Sequence, residues 1–596
     1  MKYSSSKHSD ANEKIHLLMN QSRQAMQQGR FDVAAPMLAT VLKQLPRHAE
    51  LHYLHGVCQW QMGALAQATQ TWNTVTELQP DHLPTWLALG SLARQQGDLA
   101  TAAQHFERST VLQPAFAMAW VHLASVQIQT RQFEAAQHSL NKALALSPDN
   151  PQVHYYWGQW HMQTEQHRQA IACLDKALAQ GPGLAAAWLA RGACHAQLKQ
   201  YDQARRDCQQ ALVIDPGCVD ALSNLGLIHK IHGDHDAALD CFERALALQP
   251  HSHDVWLNKA TLHSAWREHA LCEQSLHKAL DLNPQSAPAQ WSLAVLHLRQ
   301  GEWSQGWPLF ESRLQLPRCK TQLAPEWPRW QGQSDVRGQT IVLIAEEGLG
   351  DTLQFCRFAK PLHDAGARTV LFGPKSLGPI LRHVDFIDEF VDDSEPLPAL
   401  DWVCPLMSLP WLLGTTVETV PLTDAYLQAP DHQRRQWQDR LAIDVTPNIG
   451  LVFSGNPDHV NDHQRSIAAA VLLQHLPAGN YHCLQQDVAA RDRDALAHRG
   501  DVRLWDQHLK DFADTAALCE QMDLIISVDT SVAHLCGALG KPTWILLSHE
   551  SDWRWLNDRS DSPWYRSVRL YRQANYGDWS APLSAIQADL TAWMNT

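Results

Sequence analysis

Eight prolines, Pro46, Pro80, Pro114, Pro148, Pro182, Pro216, Pro250 and Pro284, stand 34 residues apart. A strict period of that length means a stack of near-identical two-helix units, none of which can bury its apolar stripe alone. With each proline counted as position 32, position 8 is small throughout: Gly56, Gly90, Ala124, Gly158, Gly192, Gly226, Ala260 and Ala294. Position 20 holds Ala34, Ala68, Ala102, Ala136, Ala170, Ala204 and Ala238, and position 27 holds Ala143, Ala177, Ala211, Ala245 and Ala279. Neighbouring helices must approach closely at these points, and Trp86, Trp120, Trp188 and Trp256 at position 4 are placed to fill the gaps between them.

The period and its small-residue pattern are those of the tetratricopeptide repeat. About nine units are expected over residues 15–318, after a polar tail at 1–14. The last unit is degenerate, with GEWSQGWPLFESR in place of a regular second helix, and is expected to dock on the domain C-terminal to it. Stacked hairpins present a concave face, and a protein or peptide partner is expected in that groove.

A chain of 596 residues is too long for one core. Its net charge of −14, with no basic stripe, argues against a nucleic-acid partner, which needs clustered Lys and Arg. The start, MKYSSSKHSDANEKIH, lacks the apolar run of a signal peptide, and no long apolar run is expected to span a membrane. A cytoplasmic location is the expectation. The 13 cysteines are scattered singly, many at helix-packing positions such as Cys194 and Cys208, and read as reduced core residues rather than disulfide or zinc pairs.

The period vanishes after Pro317, where LAPEWPRWQGQSD marks a linker at 319–338. From Gln339, short β-branched runs alternate with helical segments, the pattern of parallel sheets covered by helices. The first unit reads as strand TIVLIA, loop EEGLG, helix DTLQFCRFAKPLHDA closed by Gly366, and strand RTVLFG. A second sheet restarts with NIGLVF after Pro447 and continues through DLIISV, a helix TSVAHLCGAL closed by Gly540, and PTWILL. The fold class is therefore an α superhelical solenoid followed by two Rossmann-like α/β halves, 339–446 and 447–596, facing each other across a cleft.

In open α/β sheets ligands sit beyond the carboxyl ends of the strands, and three loops meet that rule. In AEEGLGDTLQF, Gly348 and Gly350 permit tight turns, and Asp351 either caps the helix or serves as a general base. In FSGNPDHVNDHQRSI, Ser454, Gly455 and Asn456 supply small hydrogen-bonding groups, and Arg465 suits a diphosphate through its planar fork. His459, Asp462 and His463 only superficially resemble a metal cluster, and no metal is expected. In SVDTSVAH, Asp529, Thr530 and Ser531 lead into a helix start whose free amides attract an anion, with His534 one turn in. The plainer reading has Asp529 capping and His534 packing.

Together, GLGDTLQF, SGNPDHVNDHQRSI, DFADTAALCEQMDLIISVDTSVAHLCGALGKPTWILL and the DWRWL, DSPWY and GDW segments resemble bacterial tetratricopeptide proteins that carry a glycosyltransferase domain of family nine, the heptosyltransferases. The resemblance covers nearly all the chain past Gln339. It implies a GT-B fold, with the acceptor on the 339–446 half and a nucleotide-sugar on the 447–596 half, inversion of configuration and no metal. It implies Asp351 as the base, Arg465 where heptosyltransferases place a phosphate-binding lysine, and Asp529, Thr530, Ser531 and His534 as the nucleotide-sugar motif. A glycine often stands where Ser531 is, which leaves the donor open. Gly348, Gly350, Ser454, Gly455 and Asn456 complete the expected donor-binding set.

A solenoid joined to such a unit also resembles the architecture of O-linked N-acetylglucosamine transferase. Here, however, only Asn224 and Asn258 match that family's asparagine ladder at position 6. Another ladder, His161, His195, His229, His263 and His297 at position 11, reads as structural, with a peptide-contacting, pH-sensitive row as the alternative. Trp553, Trp555, Trp564 and Trp579 either border the donor pocket or pack in the core. Two functions compete: a metal-independent transferase moving a sugar from a nucleotide diphosphate to a protein or glycan acceptor held by the repeats, and a non-catalytic scaffold with a degenerate transferase domain.

Overall fold

A computed structural model describes residues 4–316, 324, 326–333, 335–346, 348–441, 446–457 and 461–595, with side chains from residue 15 onward. From Ser4 to Phe310 the chain forms eighteen helices that pair as nine hairpins. The first helix, Ser4–Gln27, begins ahead of the repeat boundary expected at residue 15. The chain divides into two compact units, Met1–Ile228 and His229–Thr596.

In the first unit the close approach at position 8 is direct. A Cβ on Gly90 would stand 2.6 Å from the Phe106 ring, and one on Gly158 would stand 2.7 Å from Leu174. Both contacts lie far inside van der Waals range, so only glycine leaves room for those side chains. The alanines at positions 20 and 27, among them Ala136, Ala143, Ala170 and Ala177, are fully buried. The position-4 tryptophans do more than fill gaps. They are half-buried, and the indole Nε1 of Trp120 and Trp188 donates to the carbonyl of Pro114 and Pro182, at 2.9 Å each. That bond anchors each hairpin to the turn before it, six residues back. His154 makes the equivalent contact with Pro148 at 2.6 Å.

In the second unit the last hairpin is irregular. The last helix, Trp303–Phe310, is 8 residues long and contains Pro308. Its indoles leave the repeat pattern for the α/β core. Trp303 stacks on Trp564 at 5.0 Å, and Trp307 Nε1 donates to the Thr415 carbonyl at 3.0 Å. Of the linker expected at 319–338, the described part is not loose: Trp330 N donates to Val403 O, and Val403 N donates to Pro328 O.

Two parallel sheets complete the unit. The first comprises β1 (Thr340–Ile344), β2 (Arg368–Gly373), β3 (Glu389–Asp392) and β4 (Trp402–Pro405), in the order β3-β2-β1-β4. The second comprises β5 (Asn448–Val452), β6 (Asn480–Cys483), β7 (Val502–Leu504), β8 (Leu524–Val528), β9 (Thr543–Leu547) and β10 (Val568–Arg572), in the order β10-β9-β8-β5-β6-β7. Renumbered from β5, this is the 3-2-1-4-5-6 order of a doubly wound sheet. The helix Asp431–Arg440, which precedes β5, packs on this second half: Trp437 Nε1 donates to Asp514 Oδ1 at 3.2 Å.

The single helix expected after β1 is broken. It runs Leu349–Phe355, tightens to a 3-10 turn at Cys356–Phe358 and resumes over Ala359–Asp364. Pro361 explains the break, because it has no N–H for the Arg357 carbonyl and its ring crowds that oxygen. Gly366 closes the segment in the left-handed region (φ +91), where a side chain would be strained. No described helix is long and apolar enough to cross a membrane, and the described cysteines are free.

Candidate functional site

Strand order marks where ligands collect. In the second sheet the direction of winding reverses between β5 and β8, and in the first between β1 and β4. Crevices open at the carboxyl ends of such strand pairs. The loops after β1, β5 and β8 carry the expected site residues, so topology brings together groups that stand far apart in the chain. The two halves touch there: a Cβ on Gly350 would meet His534 Cδ2 at 2.9 Å and Ser531 Cα at 3.2 Å.

Each carboxylate oxygen of Asp351 accepts one hydrogen bond at this contact. It lies in the first turn of helix Leu349–Phe355, and its Oδ2 accepts from the Gly348 amide at 2.9 Å, so the capping role is real. Its Oδ1 accepts from Arg554 Nη2, across from the second half. Arg554 also donates to Asp552 Oδ1 at 2.8 Å and Gln354 Oε1 at 2.9 Å, while Trp553 stacks under its guanidinium. One buried arginine thus ties two aspartates together. Burial works against the Asp552 carboxylate, but Arg554 outweighs it and holds that carboxyl below its ordinary range.

In the second half, Thr530 is the N-cap of helix Ser531–Ala538, and its side chain makes no capping hydrogen bond to the first turn. Thr530 Oγ1 is buried without a hydrogen-bond partner among the described residues. Arg465 lies alongside, its Nη1 donating to the Asp529 carbonyl at 3.1 Å, with Asp462 at 3.5 Å. A Cβ on Gly455 would press on Arg465 Nη2 at 2.6 Å, so glycine there makes room for the guanidinium. Gln485 fixes the strand end, its Oε1 accepting from Phe453 N and its Nε2 donating to Ser454 Oγ at 2.7 Å. Asn456 is exposed beside them. Burial and the nearby Asp552 raise the Asp529 carboxyl to about 6.

His534 departs from its expected place at a ribose or phosphate. It is 6% exposed, stacked on Trp555 at 5.1 Å, with Nδ1 3.1 Å from the Tyr565 hydroxyl. Burial, then Arg554, lower it to about 3, so the ring is neutral at physiological pH and serves packing. Asp529 does not cap the helix, so half of the plainer reading of this loop holds. His459 lies outside the described residues. Of the late tryptophans, Trp553, Trp555 and Trp564 are core side chains, and Trp579 packs against the core of the second sheet.

Several residues that shape the site carry no signal in the sequence pattern. Arg554 and Asp552 stand in the DWRWL segment, whose tryptophans draw attention away from the charges between them. Arg313, at the end of the last repeat, forks onto Glu346 Oε1 and Oε2 at 3.1 and 3.0 Å, and Glu346 also accepts from Met407 N. That buried pair fixes the loop leading to Gly348 and Asp351.

The position-11 histidines have a common local role. Nδ1 of His161, His195, His263 and His297 lies 2.6–3.0 Å from the side chain five residues on: Gln166, Gln200, Glu268 and Glu302. His229 faces Asp234 at 3.5 Å. Each partner is the N-cap residue just before the second helix of its hairpin, so the ladder locks the turn between helices.

Comparison with known proteins agrees on the repeats. Family models described as tetratricopeptide repeat match residues 25–92, 93–156 and 183–250. These stretches are tetratricopeptide repeats. Protein FlbA of Caulobacter vibrioides (strain ATCC 19089 / CIP 103742 / CB 15) is 24% identical over 338 residues, 50% of this chain and 54% of that protein. The chain thus spans about half the length of the curated relative it matches. Among solved structures, the APC/C hetero-tetramer Cut9-Hcn1 aligns with TM-score 0.39 and 20% identity, over 47% of this chain and 55% of the other. A tetratricopeptide repeat protein from Parabacteroides merdae ATCC 43184 aligns with TM-score 0.36 and 13% identity, over 40% and 94%.

Proposed function

We propose that the α/β half is an inverting glycosyltransferase of GT-B type. It takes a sugar from a nucleotide-diphosphate donor without a metal at the transfer site, and the repeats recruit a protein or glycan acceptor. The observation that carries the reading is the contact of two switch-point loops. Asp351 after β1 and the uncapped start of helix Ser531–Ala538 after β8 meet at Gly350, with Arg465 alongside.

In the transfer, the acceptor hydroxyl oxygen attacks the anomeric carbon. The bond from that carbon to the diphosphate oxygen breaks, and the nucleoside diphosphate leaves with its electron pair. Free amides, the helix dipole and Arg465 stabilise the developing charge in place of a cation. Asp351 takes the hydroxyl proton. Its two hydrogen bonds use two of roughly four lone-pair positions on a carboxylate, and Arg554 divides its charge between Asp351 and Asp552, so Asp351 keeps capacity to accept. Thr530 Oγ1, buried and without a hydrogen-bond partner among the described residues, has a hydrogen bond to offer a phosphate oxygen.

The scaffold reading draws on the repeats and on the Arg554 clamp over Asp351. Thermal unfolding with a panel of nucleotide-sugars separates the two, because selective binding to the native state raises the melting temperature. A shift with one donor, followed by label transfer from it, supports the enzyme. No shift with any of them favours the scaffold.

A further inference from the structure

The histidine lock of the hairpin turns is repeated five times, yet at one seam it acquires a third member. His263 Nδ1 lies 2.6 Å from Glu268 Oε2, and the same oxygen is 3.2 Å from Nε2 of His235, the first residue of helix His235–Leu248 in the preceding hairpin. The three donor atoms lie within 4.8 Å of one another, the one such grouping of His, Cys and carboxylates among the described residues. His263 is buried, while His235 and Glu268 are half-buried, so an ion has a way in.

Two imidazole nitrogens and a carboxylate oxygen are a zinc-type donor set, and at Zn–N and Zn–O lengths of about 2.1 Å tetrahedral donors stand about 3.4 Å apart. His235 Nε2 and Glu268 Oε2 already have that spacing, His263 Nδ1 needs to withdraw from Oε2 by less than about 1 Å, and the two imidazole nitrogens, within 4.8 Å of each other, adjust to the same separation. The outer shell fits too: His235 Nδ1 faces Asp236 Oδ1 at 3.2 Å, the carboxylate–histidine arrangement that fixes the tautomer of a metal ligand.

We propose that His235 Nε2, His263 Nδ1 and Glu268 Oε2 bind a divalent ion of the Zn2+ class, with water in the fourth position, clamping the seam between two successive repeats. The ion replaces the protons that the two imidazoles now share with Glu268. Its position matters for the site beyond. Trp266 stands 5.2 Å from the His235 ring and stacks on Tyr576 at 4.9 Å, and the Tyr576 hydroxyl accepts from Gln464, next to Arg465. The clamp thus sits three contacts from the loop proposed to hold the diphosphate, although the proposal does not depend on that reading.

The test uses the untagged full-length chain, because its 33 histidines make total metal content alone uninformative. Calorimetric titration with Zn2+ is expected to show one site well above the weak background, and Co2+ in its place should give the intense visible bands of a tetrahedral centre. Glu268→Gln and His235→Gln, with folding checked by melting, should each weaken that site about tenfold or more. His297→Gln, which breaks the same lock where no third donor stands, should leave it intact. Zn2+ affinity no better than background, or unchanged in both Glu268→Gln and His235→Gln, overturns the proposal.

Discussion

The repeats and the α/β half solve the same problem, satisfying buried polar groups, at different ranges along the chain. In the repeats the bonds that recur from unit to unit are local: indoles at position 4 reach a proline carbonyl six residues back, and histidines at position 11 reach a side chain five residues on, while bonds such as Arg94 to Ser125 and His235 to Glu268 join successive units. In the α/β half, Arg554 reaches back 203 residues to Asp351, Arg357 donates to the carbonyl of Trp564, and Arg313 forks onto Glu346. Local satisfaction makes a module that can be copied. Long-range satisfaction makes a single assembly whose loops are held only when the whole is folded.

The comparison breaks most visibly at Arg313. Removing one partner of a buried ion pair strands the other charge, at a cost of about 3–5 kcal/mol. Arg313→Ala should therefore lower the stability of the second unit by that amount in denaturant unfolding. Arg313→Met combined with Glu346→Leu should recover most of it. Equal stability of Arg313→Ala and the wild type would show that the pair does not organise the loop. In the repeats the largest effect should be steric: Gly90→Val drives a side chain into Phe106 and should cost about 1–3 kcal/mol, read as a lower melting temperature of the first unit. Trp188→Phe keeps the ring but loses the bond to Pro182, and should cost about 1 kcal/mol. A much larger loss there would mean the repeats are less modular than the local bonding indicates.

That contrast also explains what the sequence revealed. The proline register, the small residues at positions 8, 20 and 27, and the glycine stops at Gly366 and Gly540 are local signals, and each matches an element seen. Of the ten described strands, β1, β2, β5, β8 and β9 are legible from their apolar, β-branched runs, whereas the short β3, β4, β6 and β7 and the charged β10 carry no such signal. Strand order is not legible either, although it sets the β5 and β8 loops side by side. Asp351, Arg465 and Thr530 could be picked out because they follow strands. Arg554 could not be paired with Asp351, since nothing local links residues so far apart. His534 misled for the converse reason: its place one helical turn in is right for a ligand, but Trp555 and Tyr565 fold over it.

A smaller effect sharpens the comparison at the proposed diphosphate site. Asp529, raised to about 6 by burial and by Asp552, with Arg465 and Arg554 acting the other way, is ionised above that value and repels a diphosphate. As pH falls from 7.5 to 5.5 the carboxyl takes up its proton, so nucleoside diphosphate binding should tighten several-fold. His534, lowered to about 3, stays neutral throughout and contributes nothing to that change. Asp529→Asn should bind more tightly at pH 7.5 and lose the dependence. Calorimetry at both pH values reads it, and an unchanged profile in the variant would assign the titration elsewhere.

The central claim, that the two switch-point loops form one transfer site, rests on Asp351. The most direct measurement takes the donor that raises the melting temperature of the wild type and tracks both binding and transfer with Asp351→Asn. Donor protection close to that of the wild type, with transfer lost, is the expected result. Full transfer by the variant would contradict the account.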